Sequence, residues 1–270
     1  MGVPSVFLRT FGCNFRCKNF SRYKEHILGD ETHNPEVIQI IRNLDNYRTY
    51  SDLPLVKTGC DSYASVYPEF KKYAQDASID AIVEGIVSML PHKEWRDEHL
   101  VITGGEPLLG WQRAYPELLE HESMVDLEQL TFETNGTQEL SDELADFLFA
   151  WSGSYRTWDD ITFSVSPKLS VSGEKWEDAI KPDIIQQYSE IGYTYLKFVV
   201  ENEKDLEEVD HAVDEYRSAG FRGTVYLMPV GGVESVYSLN NRKVAEMAMA
   251  KGYRYSDRLQ VPLFKNAWGT

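Results

Sequence analysis

The chain has 270 residues, a formal net charge of −16, 42% hydrophobic and 13% aromatic residues. This length and apolar content support one sizeable core and exclude global disorder, while the acidic balance disfavours nucleic acid and anionic membrane surfaces as partners. No apolar run reaches the roughly 18 residues of a membrane span, and Met1-Gly2-Val3-Pro4-Ser5-Val6-Phe7 is no signal peptide, so a cytoplasmic, reducing location is expected.

In chain order, an opening strand is predicted over Ser5 to Arg9. The interval 18–59 then breaks the pattern. It is polar and mixed in charge, and reads as an insertion carrying one helix over Val37 to Leu44, with Asn34 as cap and Pro35 at the first helical position. Tyr23, Tyr47 and Tyr50 are its candidate packing anchors, over the cysteine side or between subunits; the alternative is a plain surface excursion.

Regular alternation starts at Ser78. Ile82, Val83, Ile86, Val87 and Leu90 recur at helical spacing, and Pro91 ends the helix. Strands follow at Leu100 to Thr103, Leu130 to Glu133, Ile161 to Val165, Tyr195 to Val200 and Thr224 to Met228. Helices are predicted over Asp142 to Trp151, Ile184 to Ile191, Leu206 to Ala219 and Lys243 to Lys251. Six strands alternating with helices imply parallel pairing and right-handed crossovers. The fold class is therefore α/β, one domain over residues 1–270 that includes the insertion.

Polar and glycine-rich segments follow five strands in succession: Thr103-Gly104-Gly105-Glu106-Pro107, Glu133-Thr134-Asn135-Gly136-Thr137, Ser166-Pro167-Lys168, Glu201-Asn202 and Pro229-Val230-Gly231-Gly232. The C-terminal ends of parallel strands are where α/β proteins place ligands. Three cysteines are an odd number, which disfavours a disulfide framework. Cys13 and Cys17 share one loop after the first strand, and Cys60 follows the interval 18–59. Spacing alone leaves three choices: buried thiols acting as small hydrophobes, a zinc site completed by His26 or His33, or an iron–sulfur cluster with one iron free of protein ligands.

Cys-x3-Cys with a third cysteine, together with Gly104-Gly105-Glu106-Pro107, resembles the radical S-adenosylmethionine (SAM) superfamily. The usual third cysteine follows two residues after the second, so the interval 18–59 is a departure. Cys60-Asp61-Ser62 resembles the Cys-Asp-Thr of 7-carboxy-7-deazaguanine synthases. So do Gly2 to Arg9, Glu133 to Thr137, Ser166-Pro167-Lys168, Lys197 to Val200 and Arg258-Leu259-Gln260-Val261-Pro262.

The resemblance implies an incomplete parallel (β/α)6 barrel of radical SAM type. It implies a carbon–nitrogen lyase that converts 6-carboxy-5,6,7,8-tetrahydropterin to 7-carboxy-7-deazaguanine by hydrogen abstraction and ring contraction, with release of ammonia. A four-iron, four-sulfur (4Fe-4S) cluster would sit on Cys13, Cys17 and Cys60. SAM would contact Gly104, Gly105, Glu106, Glu133, Asn135, Ser166, Lys168 and Lys197, with Glu106 accepting from its ammonium. Arg9 and Thr103 would contact the pterin, and Ser62, in place of the family threonine, would bind Mg2+. An electron donor such as flavodoxin or ferredoxin and a homodimer are implied as well. The Gln-Gly-Glu-Gly segment that often precedes the first strand is missing here, so either the start lies further upstream or the pterin binds differently. Other readings are a different radical SAM activity, such as a glycyl-radical activating enzyme, a non-catalytic metal-binding module, and a pterin-binding protein without turnover.

Overall fold

Short aliphatic and β-branched runs between amphipathic helices build one sheet, because each strand buries one face against the helix that follows it. The structure is a computed structural model that describes residues 3–21, 34–153 and 157–269. Its elements are β1 (Ser5–Thr10), α1 (Pro35–Arg42), α2 (Ile79–Met89), β2 (His99–Gly104), α3 (Tyr115–Leu119), β3 (Gln129–Thr134), α4 (Asp142–Gly153), β4 (Ile161–Val165), α5 (Trp176–Ala179), α6 (Pro182–Ile191), β5 (Tyr193–Val200), α7 (Glu203–Ser218), β6 (Val225–Pro229), α8 (Glu234–Lys251), β7 (Arg254–Tyr255) and α9 (Gln260–Phe264).

All neighbouring strands pair in parallel, and the sheet runs from β1 to β7 in chain order. A doubly wound sheet reverses its order at a switch point; this one does not, so its winding is compatible with a partial barrel. Among the described residues the strand count is seven rather than the predicted six. β7 has two residues, Arg254 and Tyr255, too few to leave an alternating pattern. The helix predicted over Lys243 to Lys251 begins at Glu234, because Asn240, Asn241 and Arg242 interrupt the apolar period that sequence reasoning follows. Helix α1 begins as its caps predict, with the Asn34 side chain accepting from the Glu36 amide at 2.8 Å.

The main core lies between the sheet and its helices. Leu130, Phe132 and Thr134 of β3 are buried, as are Thr194, Leu196, Phe198 and Val200 of β5. Rings of Phe132, Phe163 and Tyr188 stack in series at 5.5 and 4.6 Å. Each such side chain contributes about 1.5–3 kcal/mol by leaving water. The alternate residues, Glu133 and Lys197 among them, face the other side of the sheet.

A second, smaller core joins α1 to the turns that follow it. Val37, Ile40, Leu53, Tyr63 and Phe70 are buried there, and Tyr47, Tyr50, Cys13, Cys60 and Trp268 pack against it. Tyr23 lies outside the described residues, as does the part of the interval 18–59 from 22 to 33. Among the described residues no helix is long and apolar enough to cross a membrane.

Candidate active site

The C-terminal end of β1 leads into the loop that carries Cys13 and Cys17. Cys13, Cys17 and Cys60 are free thiols that meet in one contact cluster with Phe15 and Ala179. Cys17 holds a left-handed backbone conformation, with φ 48°. Its amide and that of Arg16 both donate to Glu174 Oε1, at 2.7 and 2.9 Å. Two further donors aim at Cys13 Sγ: the Phe15 amide at 3.4 Å and Asn135 Nδ2 at 4.0 Å.

Burial pushes the Cys13 thiol up to about 11, the Cys60 thiol up to about 12 and Cys17 well above the ordinary thiol range. The Lys168 ammonium opposes this at all three sulfurs. Buried thiols of this kind ionise when a metal supplies the compensating charge. Among the described residues, no three His, Cys, Asp or Glu side chains form a group suited to one metal ion. One tetrahedral zinc draws its sulfurs to within about 4 Å of each other. A polynuclear iron–sulfur cluster takes its thiolates on separate irons and so at wider spacing. Three thiols in one contact cluster, with N–H donors directed at Cys13 Sγ, are a donor set of the kind an iron–sulfur cluster takes. His26 and His33 lie outside the described residues.

β2 ends at the glycine pair. A Cβ at Gly104 would lie 2.1 Å from the Thr10 carbonyl oxygen, and one at Gly105 would lie 2.2 Å from that of Gly12. Only glycine lets this loop press against the cysteine loop. The Glu106 amide then donates to the Gly12 carbonyl at 2.8 Å. Glu106 itself is fully buried. Its carboxylate accepts from Thr134 Oγ1 at 2.7 Å, the Asn135 amide at 2.6 Å and the Leu108 amide at 3.1 Å. Glu106 therefore ties the loop after β2 to the loop after β3, with both oxygens engaged by the protein. Burial raises its carboxyl above the usual range, against the pull of these donors.

On the other face of the sheet, polar side chains meet across adjacent strands. Glu133 Oε1 lies 3.1 Å from Lys197 Nζ, and Glu133 Oε2 accepts from Thr103 Oγ1 at 3.3 Å. The Lys197 ammonium holds the Glu133 carboxyl below its ordinary range despite burial. Arg9, level with Thr103 across the β1–β2 pair, sends Nη1 to Ser62 Oγ at 3.2 Å and to the Gly104 carbonyl at 3.4 Å. Lys168 Nζ donates to Ser166 Oγ at 3.0 Å. Asn135 Nδ2 also donates to Asn14 Oδ1 at 2.9 Å, which turns the Asn135 side chain toward the cysteine loop.

Sequence reasoning assigned no role to three residues here. Asp61 pairs with the Arg258 guanidinium, whose Nη1 also donates to the Gly231 carbonyl at 2.7 Å. Burial alone would raise the Asp61 carboxyl, but Arg258 outweighs it and holds it below the carboxylate range. Both residues stand in segments that carry the family resemblance, which was the available signal. Glu174 had none: it is one glutamate in an irregular polar stretch.

The winding of the sheet and the placement of these groups define an α/β protein with one all-parallel sheet, compatible with a partial barrel, and a polar, cysteine-bearing site at the C-terminal ends of its strands. No protein-family profile matches the chain. It is 28% identical to the 7-carboxy-7-deazaguanine synthase of Halobacterium salinarum over 98% of this chain and 85% of that protein. It is 33% identical to the synthase of Pyrobaculum aerophilum over 63% of this chain and 67% of that protein. It is 26% identical to the synthase of Rhodopirellula baltica over 100% of this chain and 82% of that protein. The chain belongs to the 7-carboxy-7-deazaguanine synthase family and is an enzyme of that kind.

Proposed function

We propose that this enzyme converts 6-carboxy-5,6,7,8-tetrahydropterin to 7-carboxy-7-deazaguanine with release of ammonia, as a radical SAM lyase of 7-deazapurine and queuosine biosynthesis. The observation that carries the reading is the meeting of Cys13, Cys17 and Cys60 beside Arg9, Ser62, Glu133 and Lys197, in a chain of this family. Cys13, Cys17 and Cys60 would hold a 4Fe-4S cluster, and Ser62 Oγ would hold Mg2+, a hard cation that takes oxygen ligands. When bound, the cluster and SAM supply one electron and a hydrogen-abstracting radical.

The protein's own groups bind, orient and exclude water. Arg9 offers a planar guanidinium to the pterin carboxylate from the end of β1, next to Ser62. Thr103 adds a hydroxyl on the neighbouring strand. Glu133 stays ionised through Lys197 and so accepts hydrogen bonds from a hydroxyl or N–H donor. Lys168 and Ser166 offer polar contacts for the SAM carboxylate and ribose. Gly104 and Gly105 keep the neighbouring loop close to the cysteines. Residues 18–59, read as an insertion, supply part of the wall that Cys13 and Cys60 pack against. A flavodoxin- or ferredoxin-type donor and a homodimer complete the reading.

The test is anaerobic reconstitution with iron and sulfide, then incubation with SAM, reductant, magnesium and 6-carboxytetrahydropterin, with products identified by mass spectrometry. Bound iron and sulfide with 7-carboxy-7-deazaguanine are expected. SAM cleavage without that product would reject the substrate, and a chain that takes up no iron would reject the cluster. Ser62→Ala and chelation separately test magnesium: unchanged activity in both removes Ser62 from the metal site.

A further inference from the structure

The backbone that carries Cys17 is held by the turn that follows β4. Asn19 donates its amide to the Ser172 carbonyl at 3.1 Å. Two residues on, Glu174 Oε1 receives the Arg16 and Cys17 amides at 2.9 and 2.7 Å. Ser172 is fully buried, and its hydroxyl donates to the Leu169 carbonyl at 2.6 Å, so the turn is itself anchored. Cys17 is in the left-handed region, which is unfavourable for a residue with a Cβ. Successive amides converging on one point make an anion-binding concavity. Here a carboxylate of the same chain fills it.

We infer that Glu174 is a positioning residue for the cysteine-bound group: it fixes Cys17 in its left-handed conformation and sets a carboxylate beside the cluster. This rests on the cluster reading given above. The geometry follows from two charge-assisted hydrogen bonds to one oxygen, each stronger than a neutral one. The charge follows from the carboxylate, and net charge is among the terms that set an iron–sulfur reduction potential. A nearby carboxylate disfavours adding an electron, so Glu174 keeps the potential low, as a cluster that must reduce an unreactive sulfonium requires. Glu174 also lines a cavity of about 380 Å³ with Trp176, His211 and Glu208, so it stands between the cysteine loop and solvent.

Two variants of the full chain separate geometry from charge. Glu174→Gln keeps an acceptor oxygen and removes the charge. Glu174→Ala removes both. After reconstitution, iron and sulfide content, cluster loss under a chelator, and the midpoint potential followed by absorbance or spin resonance are measured. Glu174→Gln is expected to hold wild-type iron with a more positive potential. Glu174→Ala is expected to lose its cluster about tenfold faster, the effect of losing a hydrogen bond to a charged group. If Glu174→Ala does not fold, the potential of Glu174→Gln decides. An unshifted potential in Glu174→Gln overturns the inference, even where the alanine variant loses iron, because a purely structural tie would leave the potential alone. A wild-type chain that binds no iron overturns the cluster reading, and this inference with it. Wild-type iron uptake with unaltered variants overturns the inference only.

Discussion

Replacing Glu106 with alanine removes a buried carboxylate that three donors share. The Thr134 hydroxyl can turn to another acceptor, but the amides of Leu108 and Asn135 cannot move without their loops. Two orphaned buried amides cost about 1–3 kcal/mol each. Relief of a buried carboxylate's desolvation and up to about 2 kcal/mol of side-chain entropy offset part of this. A net destabilisation of about 2–3 kcal/mol is expected. Glu106→Gln keeps one acceptor but turns an NH2 group toward a donor, so it should cost about 1–2 kcal/mol. Urea unfolding of the metal-free chain, followed by far-ultraviolet circular dichroism, measures both, with a shifted midpoint and an unchanged slope. An alanine variant within about 0.5 kcal/mol of wild type, yet inactive, would refute the bracing role and return Glu106 to a direct contact with the SAM ammonium.

Glu133→Gln leaves Lys197 as a largely buried ammonium without its ion pair; a loss of about 1–3 kcal/mol at neutral pH is expected, less than for a fully buried pair because Glu133 is partly exposed. The folded Glu133 carboxyl lies below its ordinary range, so its contribution is full above the ordinary glutamate pKa and is lost as pH falls through the lowered value. Wild-type and variant stabilities measured from pH 7 to pH 3 should therefore converge toward the acid end, and a constant gap would contradict the pairing. Trp268→Ala removes the 2.6 Å hydrogen bond to the Leu53 carbonyl and an edge contact with Tyr50 at 4.6 Å; about 1–2 kcal/mol and faster proteolysis of the C-terminal segment are expected. An unaltered cleavage rate would show that the tail is held elsewhere.

The layout of the parallel sheet was legible because its strands are short apolar runs that end in polar loops. Ile161 to Val165 was placed to the residue, and α1 was readable from Asn34 and Pro35. What escaped was short or dispersed. α3, α5 and α9 have five, four and five residues, too few to show a helical period. Around the cysteines, the recognisable strings marked residues that the structure brings together, while partners distant in sequence left no signal. Glu174 binds the cysteine loop from 157 residues further along the chain, and no local pattern encodes such a contact. Arg258 and Asp61 stood inside the strings, but their pairing becomes visible only when the C-terminal segment folds over β6.

The segment Glu133-Thr134-Asn135 shows why a short string can carry so much of the site. Strand side chains alternate between faces. Glu133 therefore points to the side where Thr103 and Lys197 lie, and Thr134 points behind the sheet to Glu106. Asn135, just past the strand, turns its side chain to Asn14 and Cys13 while its amide completes the bracket on Glu106. Three consecutive residues thus serve the inner face, the brace behind it and the cysteine loop. A one-residue slip of β3 would exchange the first two tasks, placing a carboxylate behind the sheet beside Glu106 and a hydroxyl opposite Lys197. The slip would bury two carboxylates together and leave the lysine unpaired, so the chemistry of the site itself enforces the register in which it is built.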